Sequence, residues 1–321
     1  MKINTVLGSG DAAELGPTLV HEHLLTGMPG AYLDAANFDR KREFTNVAGA
    51  VEKVKQQGIS TLIDPCPMEL GRDPEFAAAI ADRTGMRVIM STGLYNDAMG
   101  IPTHFRMLDS DEIAELYVRE ITEGIGSTGI KAGLIKAANS GMPGHPGENG
   151  ITRVEEKVFR AAARAQRATG VPILVHNSET APFGREVLDI LGSEGVEPKR
   201  VMIGHACGVG DMRYYFDILE RGAWLGFDRF GIELVAPDRL RLASLIGLIG
   251  VGHDRIMLAH DTVNCWLGRL GRGMQSMIKN SPKWKLTHIS EDILPALRKA
   301  GVTEDQIDTL LVKNPRDYFA A

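Results

Sequence analysis

Eight short apolar runs of strand length recur along the 321-residue chain and constrain its fold more than any other feature. Nearly continuous apolar runs are typical of parallel strands buried on both faces, because half-exposed antiparallel strands alternate apolar and polar residues. The runs are residues 19–23, 61–65, 88–92, 133–137, 172–176, 201–205, 223–228 and 256–261.

The segments between the runs have helical spacing of apolar residues, as in 109–125, 152–168, 179–191 and 211–220. Thr152 followed by Glu155 is a capping box that marks the start of one of these helices. Strands that alternate with helices form a parallel sheet with right-handed crossovers, and eight repeats close a barrel. We therefore predict an α/β fold of the (β/α)8 TIM-barrel type, with residues 1–321 as a single domain. An open doubly wound sheet is the alternative, but no G-x-G-x-x-G follows a predicted strand.

Two long connections fall on the rim at the C-terminal ends of the predicted strands. Residues 142–150 are rich in Gly and Pro, and residues 262–287 contain Trp266, Arg269, Met274 and Trp284. Barrel enzymes keep their active sites on this rim, and long loops there shape substrate pockets. Residues 288–321 are predicted to form two helices that close the barrel.

Composition narrows the class of protein. The chain is 44% apolar and 24% charged, as is ordinary for a globular protein, and its net charge of −5 argues against a nucleic-acid partner. We see neither a secretory signal nor a run of roughly 18 apolar residues that could span a membrane. Three widely separated cysteines, Cys66, Cys207 and Cys265, do not suggest a disulfide framework. We expect a cytoplasmic protein that acts on a small molecule.

Several of the runs end in histidine. His21 and His23 are two residues apart, so on a strand their side chains would point to the same face. His176 and His205 each end a later run, and imidazole nitrogen is a ligand for zinc, iron, nickel or cobalt. The carboxyl ends of parallel strands meet at one rim, which predicts a metal site there. Purely structural buried histidines are the alternative.

Lys136 is the unusual member of the set. Within the sequence LIKAA its side chain should point inward, where a bare ammonium group is costly. Nearby divalent ions would lower its pKa, and a neutral amine can take up carbon dioxide to form a carbamate that bridges two metals. The alternative is a lysine paired with a carboxylate on the rim. Lys131 is expected to precede the strand and to be solvated.

Asp261 ends the last run, where a carboxylate could bind one metal ion and accept the proton of a bridging water. Two metal ions about 3.5–4 Å apart would lower the pKa of that water. Glu22 and His260 should face the other way by alternation. Glu22 is therefore expected to pack or to support the site, and His260 is expected to be a core residue.

The motifs that carry these residues resemble those of the phosphotriesterase-like members of the amidohydrolase superfamily. They are GPTLVHEHL, GLIKAANS, ILVHNS, MIGHAC, GFDRFG, DRIMLAHD and VKNPRDYF, and the resemblance extends over essentially the whole chain. It implies that His21, His23 and Asp261 hold the more buried of two divalent ions, and that His176 and His205 hold the second.

The same resemblance implies that Lys136 is carboxylated and bridges the two ions. Zinc is the expected metal, and cobalt, manganese or iron would also fit. Relatives of this family are commonly homodimers, so a homodimer is expected.

Two further positions resemble the lactonase branch of the family. STGLY places Tyr95 after the third strand, where lactonases use a tyrosine near the substrate carbonyl, and GFDRF places Arg229 beside the pocket. Phe227 and Phe230 depart from the commoner Leu and Tyr, so loop details can differ there. The alternatives are rim packing for Tyr95 and an ion pair with a neighbour such as Asp228 for Arg229.

We therefore expect a binuclear metal-dependent hydrolase and, more specifically, a lactonase that opens N-acyl homoserine lactones or other γ- or δ-lactones, with Asp261 as the base. Cys265 and Trp266 lie where lactonases keep apolar groups around the substrate tail. The alternatives are a phosphotriesterase, an amide or ester hydrolase that uses Arg229 or Arg269 to bind an anionic substrate, and a non-catalytic binding protein.

Overall fold

A computed structural model of the chain describes residues 1–36, 38–141 and 150–321. Its strands are β1 (Lys2–Thr5), β2 (Gly8–Asp11), β3 (Thr18–Leu19), β4 (Glu22–His23), β5 (Thr61–Asp64), β6 (Arg87–Gly93), β7 (Leu134–Ala138), β8 (Ile173–His176), β9 (Val201–Ile203), β10 (Trp224–Phe227), β11 (Ile256–Leu258) and β12 (Thr262–Val263). Its helices are α1 (Arg40–Gln56), α2 (Pro74–Thr84), α3 (Thr103–Met107), α4 (Ser110–Thr122), α5 (Arg153–Thr169), α6 (Gly184–Ser193), α7 (Met212–Glu220), α8 (Asp238–Gly250), α9 (Arg272–Lys279), α10 (Leu294–Lys299), α11 (Glu304–Asp308) and α12 (Asn314–Ala320).

The predicted (β/α)8 barrel is confirmed. Eight parallel strands pair in the order β3, β5, β6, β7, β8, β9, β10 and β11. The ring closes between its ends, because Val20 N donates to Leu258 O at 3.1 Å and Asp261 N donates to His21 O at 2.9 Å. Just beyond, β12 pairs with β4. This closure brings the first and last strands of the chain side by side at the C-terminal rim.

The helices bury one face against the barrel. In α5, the capping box of Thr152 and Glu155 is formed as predicted, and Val158 and Phe159 are buried below it. Asp109 likewise caps α4. The helix predicted for 179–191 begins only at Gly184, because Pro182 precedes it and Asn177 Oδ1 holds the Phe183 N–H in a loop at 3.0 Å.

The C-terminal tail forms two helical stretches, each with a π-helical turn, at Ile289–Ile293 and Thr309–Lys313. The first stretch is tied to the barrel by two buried residues. His260 Nδ1 lies 2.6 Å from Glu22 Oε1, and His260 Nε2 accepts from Ile289 N at 2.9 Å. His260 is thus the expected core histidine, and Glu22 supports it. None of the helices in the described ranges combines the length and the apolar character needed to cross a bilayer.

Candidate metal centre

Four histidines, a lysine and an aspartate converge at the C-terminal end of the barrel. Asp261 Oδ1 lies 3.3 Å from His21 Nε2 and 3.2 Å from His23 Nε2. Lys136 Nζ is 3.3 Å from His21 Nε2. The structure thus brings together all six predicted metal-site residues, which we call the ligand cluster: His21, His23, Lys136, His176, His205 and Asp261.

The distances from His205 to other members of the ligand cluster are also short. His205 Nε2 lies 2.8 Å from His176 Nδ1 and 3.8 Å from Asp261 Oδ2. Its ring is stacked on that of His21, with centroids 4.9 Å apart. Imidazoles from the first, fifth and sixth barrel strands therefore share one space.

The backbone that presents these side chains is less regular than predicted. His21 and His23 do not lie on one continuous strand, since β3 ends at Leu19 and β4 begins at Glu22. His205 and Asp261 do not end strands but follow them, with φ values of 58° and 55°. These are the two non-glycine residues with positive φ in the described part of the chain. A left-handed residue costs on the order of 1–3 kcal/mol, so tertiary contacts must hold both turns in place.

Asp228 is one such contact, and the sequence did not reveal its role. Its Oδ2 lies 2.8 Å from His21 Nδ1, and its Oδ1 lies 3.1 Å from His205 Nδ1 and accepts from His205 N at 2.6 Å. A carboxylate on Nδ1 fixes the proton there and leaves the Nε2 lone pair for a metal. Gly226 leaves room for Asp228, because a Cβ there would lie 3.0 Å from Asp228 Oδ2. The one available signal was an acidic residue directly after a buried strand.

Burial lowers the pKa of three members of the ligand cluster. It lowers the pKa of His21 to about 3, with the charge of Lys136 acting in the same direction. Burial and His205 hold the pKa of His176 well below its usual range. Lys136 is 1% exposed, and burial lowers the pKa of its ammonium to about 8. Neutral imidazoles and a readily deprotonated amine are the forms that metal ions and carbon dioxide require.

Charged neighbours shift the pKa of two further members of the ligand cluster. Burial disfavours a charge on His23, but its contacts with Asp261 and Asp64 outweigh burial and raise its pKa. Burial likewise disfavours the charge of Asp261, but His21, His205 and Arg229 hold the pKa of that carboxyl well below its usual range. A metal ion would fit between His23 Nε2 and Asp261 Oδ1, which lie 3.2 Å apart.

The donor set suits divalent ions. His21, His23 and Asp261 can place one ligand atom each within 4.8 Å of one another. Nitrogen and carboxylate donors in this mixture are ordinary ligands of zinc and its first-row neighbours. Lys136 Nζ contacts His21 at 3.3 Å, and among the described residues it forms no ion pair with a carboxylate, so the alternative of a lysine paired on the rim gains no support there.

Tyr95 and Arg229 both reach the ligand cluster. Tyr95 Oη lies 3.1 Å from His176 Nδ1. Arg229 Nε donates to Asp261 Oδ2 at 3.0 Å, and its Nη1 donates to Glu179 Oε2 at 3.1 Å. The alternative prediction that Arg229 forms an ion pair with a neighbour is thus confirmed, with Asp261 and Glu179 as the partners rather than Asp228. No motif in the sequence pointed to Glu179.

A cavity of about 250 Å³ opens above the ligand cluster. Its apolar lining, which we call the pocket wall, consists of Met28, Pro67, Leu70, Met99, Ile232, Val235, Val263, Trp266, Met274, Met277 and Trp284. Met274 and Met277 come from α9, a helix that lies within the predicted long connection 262–287. Arg269 instead pairs with Asp34 at 2.7 Å, with 79% of its side chain exposed. Of the predicted loop 142–150, residues 142–149 lie outside the described residues.

Comparison with known proteins places this geometry in context. Residues 1–319 match the model of the Phosphotriesterase family. The aryldialkylphosphatase of Saccharolobus solfataricus is 35% identical over 312 residues, which cover 97% of this chain and 96% of the relative.

Solved structures from Deinococcus radiodurans are also similar. An organophosphorus hydrolase superimposes with a TM-score of 0.91 at 38% identity, covering 99% of this chain and 97% of the other. A variant of a PTE-like lactonase gives a TM-score of 0.91 at 38% identity and covers 99% of both chains.

Proposed function

The chain belongs to the phosphotriesterase family, and from that premise we propose that it is a binuclear metal-dependent lactonase, with residues 1–321 acting as one metallohydrolase domain. The observation that carries the choice of substrate is an apolar cavity above the ligand cluster, with a tyrosine hydroxyl at its base. Arg229, the arginine that lines the cavity among the described residues, is already paired with Asp261 and Glu179. An uncharged ester with an apolar tail suits such a pocket better than an anion does.

The ligand cluster would hold two divalent ions. His21, His23 and Asp261 would bind one, His176 and His205 the other, and a carboxylated Lys136 would lie between them. Zinc is the expected metal, with cobalt, manganese or iron as alternatives. When bound, such ions polarise a substrate carbonyl and supply hydroxide at neutral pH.

Side chains of the protein would then transfer the protons and stabilise the negative charge that develops. Asp261 accepts the proton of the attacking water and returns it to the leaving alkoxide, which stays tethered in a hydroxy-acid product. Arg229 helps to keep Asp261 ionised, which is the form that can accept a proton. Burial raises the pKa of Tyr95, so its hydroxyl stays protonated and can donate to the carbonyl oxygen as negative charge develops there.

The test is acid release by the zinc-loaded protein, followed with a pH indicator. The substrates are N-acyl homoserine lactones, plain γ- and δ-lactones, phosphorylated sugar lactones and neutral phosphotriesters. We expect turnover of a lactone class that Asp261→Asn abolishes. A protein that holds two metal ions but turns over no lactone would overturn the proposal.

A phosphotriesterase is the second candidate, since a relative and a structural neighbour carry that activity in their names and a triester is also uncharged. In the same assay, faster turnover of triesters than of every lactone would favour it. An amide or ester hydrolase for anionic substrates is less well supported, because both Arg229 and Arg269 are paired. A homodimer, a cytoplasmic location, a small-molecule substrate and the absence of nucleic-acid or membrane partners stay predictions.

A further inference from the structure

We propose that Glu179 is a positioning residue that holds Arg229 in a single contact with Asp261 and so keeps the other oxygen of Asp261 available to the metal side of the ligand cluster. The inference rests on the proposed metal-dependent function of that site. Glu179 lies in the loop between β8 and α6, outside the six ligand residues.

The two oxygens of Asp261 face different partners. Oδ1 lies 3.3 Å from His21 Nε2 and 3.2 Å from His23 Nε2, whereas Oδ2 accepts from Arg229 Nε at 3.0 Å. An arginine fork can bind both oxygens of one carboxylate. In the structure Arg229 Nε contacts Asp261 through one oxygen, while Nη1 donates to Glu179 Oε2 at 3.1 Å. By anchoring Nη1, Glu179 holds the guanidinium in the orientation in which it donates to only one oxygen of Asp261.

The side chain of Glu179 is itself held in place by a second buried arginine. Its side chain is 1% exposed, and its Oε1 lies 3.3 Å from Nη2 of Arg241, whose side chain is fully buried. Arg241 also donates to Cys207 Sγ at 3.4 Å and to Ile232 O at 3.2 Å. Ile232 belongs to the pocket wall, so one buried chain of contacts runs from the pocket wall through Glu179 to Asp261.

Gly208 provides independent evidence that the space around Glu179 is shaped for its carboxylate. A Cβ on Gly208 would lie 1.9 Å from Glu179 Oε1 and 2.4 Å from Glu179 Cδ. The backbone of Gly208 is not in the left-handed region, so an alanine there would displace the carboxylate without straining the chain.

Without Glu179, the Arg229 guanidinium should be free to reorient and donate to both oxygens of Asp261. It would then compete with a metal ion for that carboxylate. We expect Glu179→Gln to weaken zinc binding, measured by competition with a chelator, by about 10–100-fold, the range seen when groups that orient metal ligands are removed. With a turned-over lactone, kcat should fall while KM changes little, because Glu179 is not among the residues that line the cavity.

Arg229→Met separates positioning from a merely structural role. Without the guanidinium there is nothing to compete, so the double variant Glu179→Gln/Arg229→Met should bind zinc within about two-fold of Arg229→Met alone. A structural role would carry the full loss into the double variant, and that result would overturn the proposal.

Gly208→Ala tests the same inference with every charge retained and serves if Glu179→Gln does not fold. It should weaken zinc binding in the same direction, whereas Gly192→Ala, where an added Cβ meets nothing within 4 Å, should not. Wild-type zinc affinity in Glu179→Gln or Gly208→Ala would refute the positioning role. Because zinc binding needs no substrate, an absence of lactone turnover would count against the proposed function and not against this inference.

Discussion

The ligand cluster and the pocket wall are built in opposite ways. Residues of the ligand cluster lie on strands of the closed barrel or within three residues of a strand end, and their polar atoms contact one another or Asp228. The pocket wall comes mostly from connections and from α9, with Val263 from β12, and Val235 and Met99 remain 49% and 39% exposed. The proposed chemistry would thus rest on the barrel, and the proposed selectivity would rest mostly on connections, which are the more variable parts of barrel enzymes.

Trp284 joins the two regions. Its ring lines the cavity, while its Nε1 donates to the backbone carbonyls of His260 at 3.1 Å and Asp261 at 3.0 Å. Changes in the pocket wall should therefore alter mainly substrate preference, except at Trp284 and at Ile232, whose carbonyl accepts from Arg241.

The largest effect is expected inside the ligand cluster. Lys136→Ala removes the group proposed to bridge the two metals and should lower lactone turnover by about three orders of magnitude, since metal activation supplies several kcal/mol. Metal content and initial rates measure this. Lys131→Ala, at an exposed position before β7, is the matched control and should behave as wild type. A Lys136→Ala protein with two metals and wild-type rates would contradict the assignment.

A smaller effect on metal binding is expected at Asp228, which contacts the ligand cluster but is not part of it. Asp228→Asn keeps the shape of the side chain but no longer holds the Nδ1 protons of His21 and His205, so metal affinity should fall about 10–100-fold. Chelator competition measures the change. Asp217→Asn, which breaks an exposed pair with Arg185, should leave affinity unchanged. Equal affinities in the two variants would show that Asp228 does not orient the imidazoles.

The pocket wall offers the contrasting experiment. Trp266→Ala removes apolar contact and should raise KM for long-chain lactones about ten-fold, as expected for 1–3 kcal/mol of lost burial, with little change for short ones. Trp284→Ala should also lower kcat, because it releases the carbonyls of His260 and Asp261. If both variants changed kcat alike, the division between the two regions would not hold.

The smallest effect concerns pH and the loop that carries Tyr95. Glu69 Oε1 accepts from Tyr95 N at 2.6 Å, and burial raises the pKa of Glu69 from 4.5 to about 7. A raised carboxyl pKa in the folded state means that its contribution to stability is complete below pH 4.5 and is lost as pH rises toward 7. Because Glu69 is only partly buried, the loss should be on the order of 1 kcal/mol. Denaturant unfolding between pH 5 and 8 should show a flatter profile for Glu69→Gln, and an unchanged profile would exclude Glu69 as the source.

Local sequence patterns predicted most of the barrel and the position of the ligand cluster. Apolar runs predicted the strands, the capping box at Thr152 predicted α5 within a residue, and parallel topology places all strand ends on one rim. The strands that lead to the four histidines, to Lys136 and to Asp261 therefore end close together. This convergence does not depend on the conformation of the loops between them.

Asp228 and Glu179 carry no comparable local pattern. Asp228 acts on His21, 207 positions away, and Glu179 acts on Arg229, 50 positions away. The left-handed turns at His205 and Asp261 likewise depend on distant contacts, among them the hydrogen bonds from His205 N to Asp228 and from Asp261 N to His21 O. The sequence by itself determined which residues would meet at the rim, because strand periodicity and parallel order are local properties. Only the tertiary structure decided which groups orient them, since a hydrogen bond between distant segments exists only once the barrel has closed.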